Sequence, residues 1–145
     1  MTSHAVSAYG AAFYRWTSSA WVEVAEIIGI EGPNRTRKTI EVTTLDSADQ
    51  YEEFIADMKN GGNVVLTMNF YRTNYDIFDE DMESNDLQNY AIVINDDSRS
   101  ALEIEGLVVE LPIVAVLGNV VTSNVTIKVT GKPTLSDGSS GAFGA

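Results

Sequence analysis

The sequence predicts a mainly β protein, a β-sandwich or partly closed barrel with one α-helix packed on its flank. Three observations carry that expectation. Short runs rich in β-branched and aromatic residues, at 21–30, 63–71, 90–95 and 120–130, are separated by Gly, Pro, Asn and Asp, as strands and turns require. Residues 38–44 alternate cleanly between apolar and polar types, the period of a half-buried strand. Residues 47–60 stand apart by repeating their apolar residues at helical spacing.

The elements follow in order. Residues 1–20 have no sustained period and interleave Tyr9, Phe13, Tyr14 and Trp16 with small residues, which reads as an arm whose aromatics dock on a neighbour. Residues 21–30 form a strand closed by Gly32-Pro33-Asn34. In the next strand Ile40 and Val42 share one face, with Thr39, Glu41 and Thr43 on the other. Ser47 and Gln50 then make a capping box, Tyr51, Phe54, Ile55 and Met58 fall on one helical stripe that faces a core, with a ring interface as the alternative, and Gly61-Gly62 ends the helix expected over about 47–60. After a strand at 63–71, residues 73–89 read as a long acidic connection with room for a short second helix within 74–84. Strands at 90–95, 101–116 and 120–130 complete the series, with Asp96-Asp97-Ser98 as a hairpin turn and Gly106 and Pro112 as bulge or edge marks. The Gly/Ser-rich end predicts a flexible arm. The expected organisation is an N-terminal arm at 1–20, one domain at 21–131 and a C-terminal arm at 132–145.

Composition excludes several functions. The 145 residues suit one domain with its own core, and no run approaches the roughly eighteen apolar residues of a membrane span. No charged n-region followed by an apolar stretch opens the chain, so synthesis and assembly are expected in the cytoplasm. Without cysteine there are no disulfides, thiolate metal sites or cysteine nucleophiles. The formal charge is −12, concentrated between Asp46 and Asp86, where eleven carboxylates face only Lys59 and Arg72. Tight binding to nucleic acid needs the reverse, because affinity comes from neutralising phosphates.

The motifs for chemistry are equally thin. A nucleophilic triad needs a base, and the single histidine, His4, lies in the arm. Alternate carboxylates at Asp79, Asp81 and Glu83 resemble a calcium loop, but Ser84 and Tyr90 stand where that loop needs Gly and Glu, so these side chains read as a solvated acidic loop. Phosphate-cradling glycine motifs are absent, no carboxylate pair is singled out for glycoside hydrolysis, and no cofactor is expected. Arg35, Arg37 and Lys38 form the only basic cluster, either a solvated turn or a patch that meets another subunit's acidic loop.

The order of pieces is more telling than any one motif. Glu41-Val42-Thr43-Thr44-Leu45-Asp46-Ser47 leads out of the second strand, Asn69-Phe70-Tyr71 ends the third, and Asn124-Val125-Thr126-Ile127-Lys128-Val129-Thr130-Gly131-Lys132-Pro133 closes the series. Over roughly residues 20–133 this succession resembles the major tail tube proteins of bacteriophages with long non-contractile tails, the siphophages. The resemblance implies a structural virion protein and no enzyme. Hexameric rings of a β-sandwich subunit would stack into a hollow tube that delivers DNA, with tail tip, terminator and tape measure proteins as partners and no membrane.

A carboxylate lining would repel phosphate and keep the genome mobile. Candidate lining residues are Glu41, Glu103 and Glu105, then Glu23, Glu26 and Glu110, with the outer, solvated sheet face as the alternative for each. Candidates for contacts between subunits or rings are Tyr9, Phe13, Tyr14, Trp16, Arg35, Arg37, Lys38, Asp76, Asp79, Glu80, Asp81 and Glu83. Two other readings compete: the inner tube of a contractile injection system, and a β-sandwich binding or adhesion module of a virion.

Overall fold

The computed structural model of the chain describes residue 3 and residues 5–137. It is mainly β, a curled sheet with one flanking helix, as the strand spacing requires. Strands β1 (Ala12–Trp16), β2 (Trp21–Val24) and β3 (Ile27–Glu31) are followed by β4 (Thr36–Glu41) and β5 (Phe54–Asn60), then by β6 (Asn63–Asn69). The helix α1 (Arg72–Glu83) precedes β7 (Gln88–Val93), β8 (Ser100–Glu110), β9 (Ile113–Val114), β10 (Thr122–Val129) and β11 (Thr134–Asp137). All pairings are antiparallel; the main sheet runs β2-β1-β7-β8-β10-β6-β3, with β11 on β8 and β9 on β10. Among the described residues, strands β4 and β5 pair only with each other.

Period-2 alternation builds the core. Val64, Leu66 and Met68 of β6, Val125, Ile127 and Val129 of β10, and Ile104 and Val108 of β8 all turn to one face, where Phe13, Tyr90 and Ile92 join them. Helix α1 closes that face with Phe78, whose ring lies 6.5 Å from both Phe13 and Tyr90. Beneath it Asp81, only 2% exposed, accepts hydrogen bonds from Arg15 Nε (2.8 Å) and the Tyr90 hydroxyl (2.7 Å). Asn74 Nδ2 donates to the Ala25 carbonyl at 2.6 Å. The helix is thus bolted to β1, β7 and the β2–β3 turn. A smaller cluster, Ala12, Tyr14, Ala91, Val93 and Ala101, packs on the opposite face.

Several expectations are corrected. Residues 47–60 are not a helix: Ala48–Gln50 make a single 3₁₀ turn and residues 54–60 are strand β5. The Ser47 hydroxyl does not cap; it accepts the Thr44 N–H (2.9 Å) and donates to Glu53 Oε2 (2.7 Å), folding the tip of a hairpin. The alternating strand β4 needs a backbone partner, and β5 is the nearest in sequence, so hairpin closure overrides a helical stripe that has nothing to pack on. The helix lies at 72–83, where the shorter one was expected.

Residues 1–20 are not all arm, because β1 is an interior strand between β2 and β7. In the C-terminal segment Pro133 is buried and β11 pairs with β8; the rest of that expected arm, 138–145, lies outside the described residues, as does His4.

Turn chemistry follows the expected residues. Asp96 closes the β7–β8 hairpin by accepting the Ser100 N–H (2.8 Å) and hydroxyl (2.7 Å). Gly62, at φ +76°, turns β5 into β6, and a Cβ there would lie 2.0 Å from the Asn34 carbonyl oxygen. Gly106 is neither bulge nor edge: it lets β8 approach β10, where a Cβ would sit 2.4 Å from the Lys128 carbonyl oxygen.

Candidate assembly and lining surfaces

Register places the expected lining carboxylates. Tyr14 stands opposite Glu23 on one side and Ala91 on the other, and Ala91 stands opposite Glu103, so Glu23, Tyr14, Ala91 and Glu103 form one row across four strands. Glu105, two residues on and opposite Asn89, shares that face, which is the one turned away from α1 and the main core. Three of the six candidates, Glu23, Glu103 and Glu105, are therefore gathered on one face.

The others are dispersed. Glu26 is in the β2–β3 turn at φ +63°, where it accepts a hydrogen bond from Asn69 Nδ2 at 3.2 Å. Glu110 is exposed at the end of β8, beside the register shift in β10. Glu41 stands on the separate β4–β5 hairpin opposite Phe54.

The expected contact residues divide in the same way. Phe13 and Tyr14 are buried inside the subunit, and Asp81 is the buried partner of Arg15; these three are corrected to intrasubunit roles. A strand that looks like an aromatic arm in sequence is short enough to lack a readable period, which is why β1 was missed. Tyr9 is exposed and Trp16 partly so, with Trp16 edge-on to Trp21 at 5.2 Å. Asp76, Asp79, Glu80 and Glu83 line the outer side of α1, where Asp76 pairs with Arg72 at 3.2 Å. Arg35, Arg37 and Lys38 are exposed at the root of the hairpin.

The most prominent surface carries the stripe Tyr51, Phe54, Ile55 and Met58, whose helical spacing favours a core over a ring interface. Every residue of β4 and β5 is exposed, including Ile40, Phe54 and Ile55, with Met58 at 76%. Leu45 and Tyr51 at the tip are exposed as well. The available signal was that the apolar residues of 47–60 sit beside a strand, β4, that needed a partner. A second apolar stretch, with Ile113, Val116, Leu117 and Val120 exposed, lies between β8 and β10. At the hairpin root Arg35, Arg37, Lys38, Lys59 and Lys132 line an open cleft of about 960 Å³. Among the described residues no three His, Cys, Asp or Glu side chains converge as a metal group would require.

No protein-family model matches the chain. No curated protein matches it in sequence. Solved structures do match in fold. A chain in the tail of an empty gene transfer agent particle, refined helically with C6 symmetry, superposes with a TM-score of 0.70 at 9% identity, over 86% of this chain and 95% of that one. A chain of the six-fold symmetrised anti-feeding prophage baseplate gives 0.71 at 14% identity, over 94% and 97%. A chain of the sheath–tube complex of an extracellular contractile injection system in its extended state gives 0.70 at 10%, over 92% and 93%. At such identities the likeness shows a shared fold.

Proposed function

We propose that the chain is a structural subunit of a phage-like tail tube, in which copies close into hexameric rings that stack into a hollow conduit. The observation that carries this reading is the β4–β5 hairpin. A two-stranded ribbon with no third strand is marginal in water, and this one shows large apolar side chains on both strands. With no further strand on it among the described residues, it gains a sheet or a core from a neighbouring copy. The fold shared with chains of six-fold tail and baseplate assemblies supports the number of copies per ring.

The face bearing Glu23, Glu103 and Glu105 then lines the lumen. Carboxylates on a wall repel phosphate, so a polymer of nucleic acid passes without being held. This role is passive and has no catalytic step. On this reading the tube belongs to a long non-contractile tail and carries the genome. The likeness to chains of contractile injection systems favours a second reading, the inner tube of such a machine, which a sheath-binding outer surface would distinguish.

Negative-stain electron microscopy of the concentrated purified protein tests the assignment. Hollow tubes with a regular axial repeat and six-fold end views are expected. Uniform monomers at every concentration, with binding to glycans instead, would replace the tube by an adhesion module.

A further inference from the structure

Charge is segregated along the hairpin. The cleft at its root gathers five of the nine cations of the chain, Arg35, Arg37, Lys38, Lys59 and Lys132, and among the described residues no carboxylate lines it. Lys132 reaches this group from the turn between β10 and β11, so the cluster is assembled by the fold and is larger than the three residues adjacent in sequence. Val129 and Pro133 give the cleft an apolar portion. Between the cations of β4 and Lys59, residues 39–58 carry six carboxylates and no cation, with Asp46, Asp49, Glu52 and Glu53 at the tip.

The tip cannot satisfy its own root. Backbone pairing continues beyond β4, with Val42 N–H on the Glu53 carbonyl at 2.9 Å, and Glu53 N–H on Thr43 Oγ1 at 2.8 Å holds the ribbon extended. Ten residues from Arg37 to Ser47 at about 3.3 Å each put the two charges roughly 30 Å apart, several Debye lengths at physiological salt.

We infer that the basic cleft is a docking site for the acidic hairpin tip of a second copy of this chain, with Asp46, Asp49 and Glu52 meeting Arg35, Arg37, Lys59 and Lys132, and with Leu45 or Tyr51 on the apolar portion. The inference rests on the tube reading and specifies which surfaces join. Two different patches of one chain make a head-to-tail contact, which repeats from copy to copy and closes into rings or extends into filaments. The exposed side of α1 is the rival acidic surface. It is less suited, because Asp76 is already paired with Arg72 and a helix lying on the sheet does not enter a cleft as a projecting tip does.

Charge reversal in two complementary sets tests the contact. A tip variant, Asp46→Lys/Asp49→Lys/Glu52→Lys, and a cleft variant, Arg35→Glu/Arg37→Glu/Lys59→Glu, change only exposed residues, and circular dichroism checks that both fold. Each alone should need roughly tenfold more protein than wild type to assemble, the scale of lost charge complementarity. Mixed in equal amounts they should assemble at the wild-type concentration, because each tip again meets a cleft of opposite sign. Since the chain has no cysteine, Ala48→Cys at the tip mixed with Thr36→Cys at the cleft should form a crossed disulfide-linked dimer under mild oxidation, even where particles are too short-lived to image.

Wild-type assembly that both reversals leave unchanged would overturn the docking while leaving the tube standing. Crosslinking of Thr36→Cys to Asp79→Cys in place of Ala48→Cys would overturn it in favour of α1. Crossed dimers without rings or tubes would keep the docking and remove the tube. A wild-type chain that does not assemble, together with cysteine pairs that do not crosslink, would remove both.

Discussion

Asp81 shows how one residue changes meaning between sequence and structure. In the acidic run 76–86 it reads as one more solvated carboxylate, yet it is the buried acceptor of both Arg15 and Tyr90. Asp81→Ala strands a guanidinium and a phenol under α1, and we expect a loss of about 3–5 kcal/mol in urea unfolding of the monomer. Tyr90 itself titrates well above the ordinary tyrosine range, because burial disfavours the phenolate and the Asp81 charge repels it. A raised acid group gives stability that is full below its unfolded pKa, about 10, and is lost as pH rises through the folded value. Wild type should therefore lose stability from about pH 10 upward more steeply than Tyr90→Phe, as thermal melts across that range would show. Opposite in sign, the half-buried Asp96 is held below the usual carboxylate range by the Ser100 hydroxyl and N–H. Its contribution to the β7–β8 turn is present above the unfolded pKa and fades in acid.

At the scale of elements the apolar stripe and the acidic connection of the middle third differ most from their expected roles. Of the helical stripe, Phe54, Ile55 and Met58 became exposed strand and Tyr51 part of the exposed tip, and the acidic segment became the helix that caps the core through Phe78. Phe78→Ala should cost about 3–5 kcal/mol, the range for emptying an aromatic from a close-packed site. Phe54→Ser with Met58→Ser should change monomer stability by no more than about 0.5 kcal/mol, because neither side chain is buried. The same pair should abolish assembly, as read by sedimentation. Hydrogen exchange makes the complementary check: amides of β4 and β5 should exchange rapidly in free subunits and become protected in assembled particles. Gly106→Ala acts on the opposite kind of element, an interior strand pair. Its Cβ would press on the Lys128 carbonyl, at a cost of about 1–3 kcal/mol.

For the whole molecule the deciding quantity is where charge and apolar surface lie. A chain of net charge −12 gathers five cations into one cleft, three glutamates onto one sheet face and two groups of exposed apolar side chains onto a hairpin and the segment 113–121. On the proposed reading these are surfaces for three different things: a second copy's tip, a passing polymer, and the body of a neighbour. Glu103→Lys with Glu105→Lys should leave tube formation intact and make the tubes retain short double-stranded DNA in a salt-dependent way, measured by co-sedimentation. Retention equal to that of wild-type tubes would place the lumen on another face.

Composition and local pattern were sufficient for the β class, most of the strands, the Asp96 turn and the acidity of the middle third, because period-2 alternation and turn residues act over a few positions. The helix was misplaced because Ser47 and the apolar residues after it satisfy helix rules locally, and only the backbone pairing of β4 decides otherwise. Tertiary structure alone settled that Phe13, Tyr14 and Asp81 are interior, that Glu23, Glu103 and Glu105 share a face, and that Lys59 and Lys132 join Arg35, Arg37 and Lys38. Each of those facts depends on which distant strands become neighbours, and that is fixed by the burial of a common core on both sides of β1, β7 and β8.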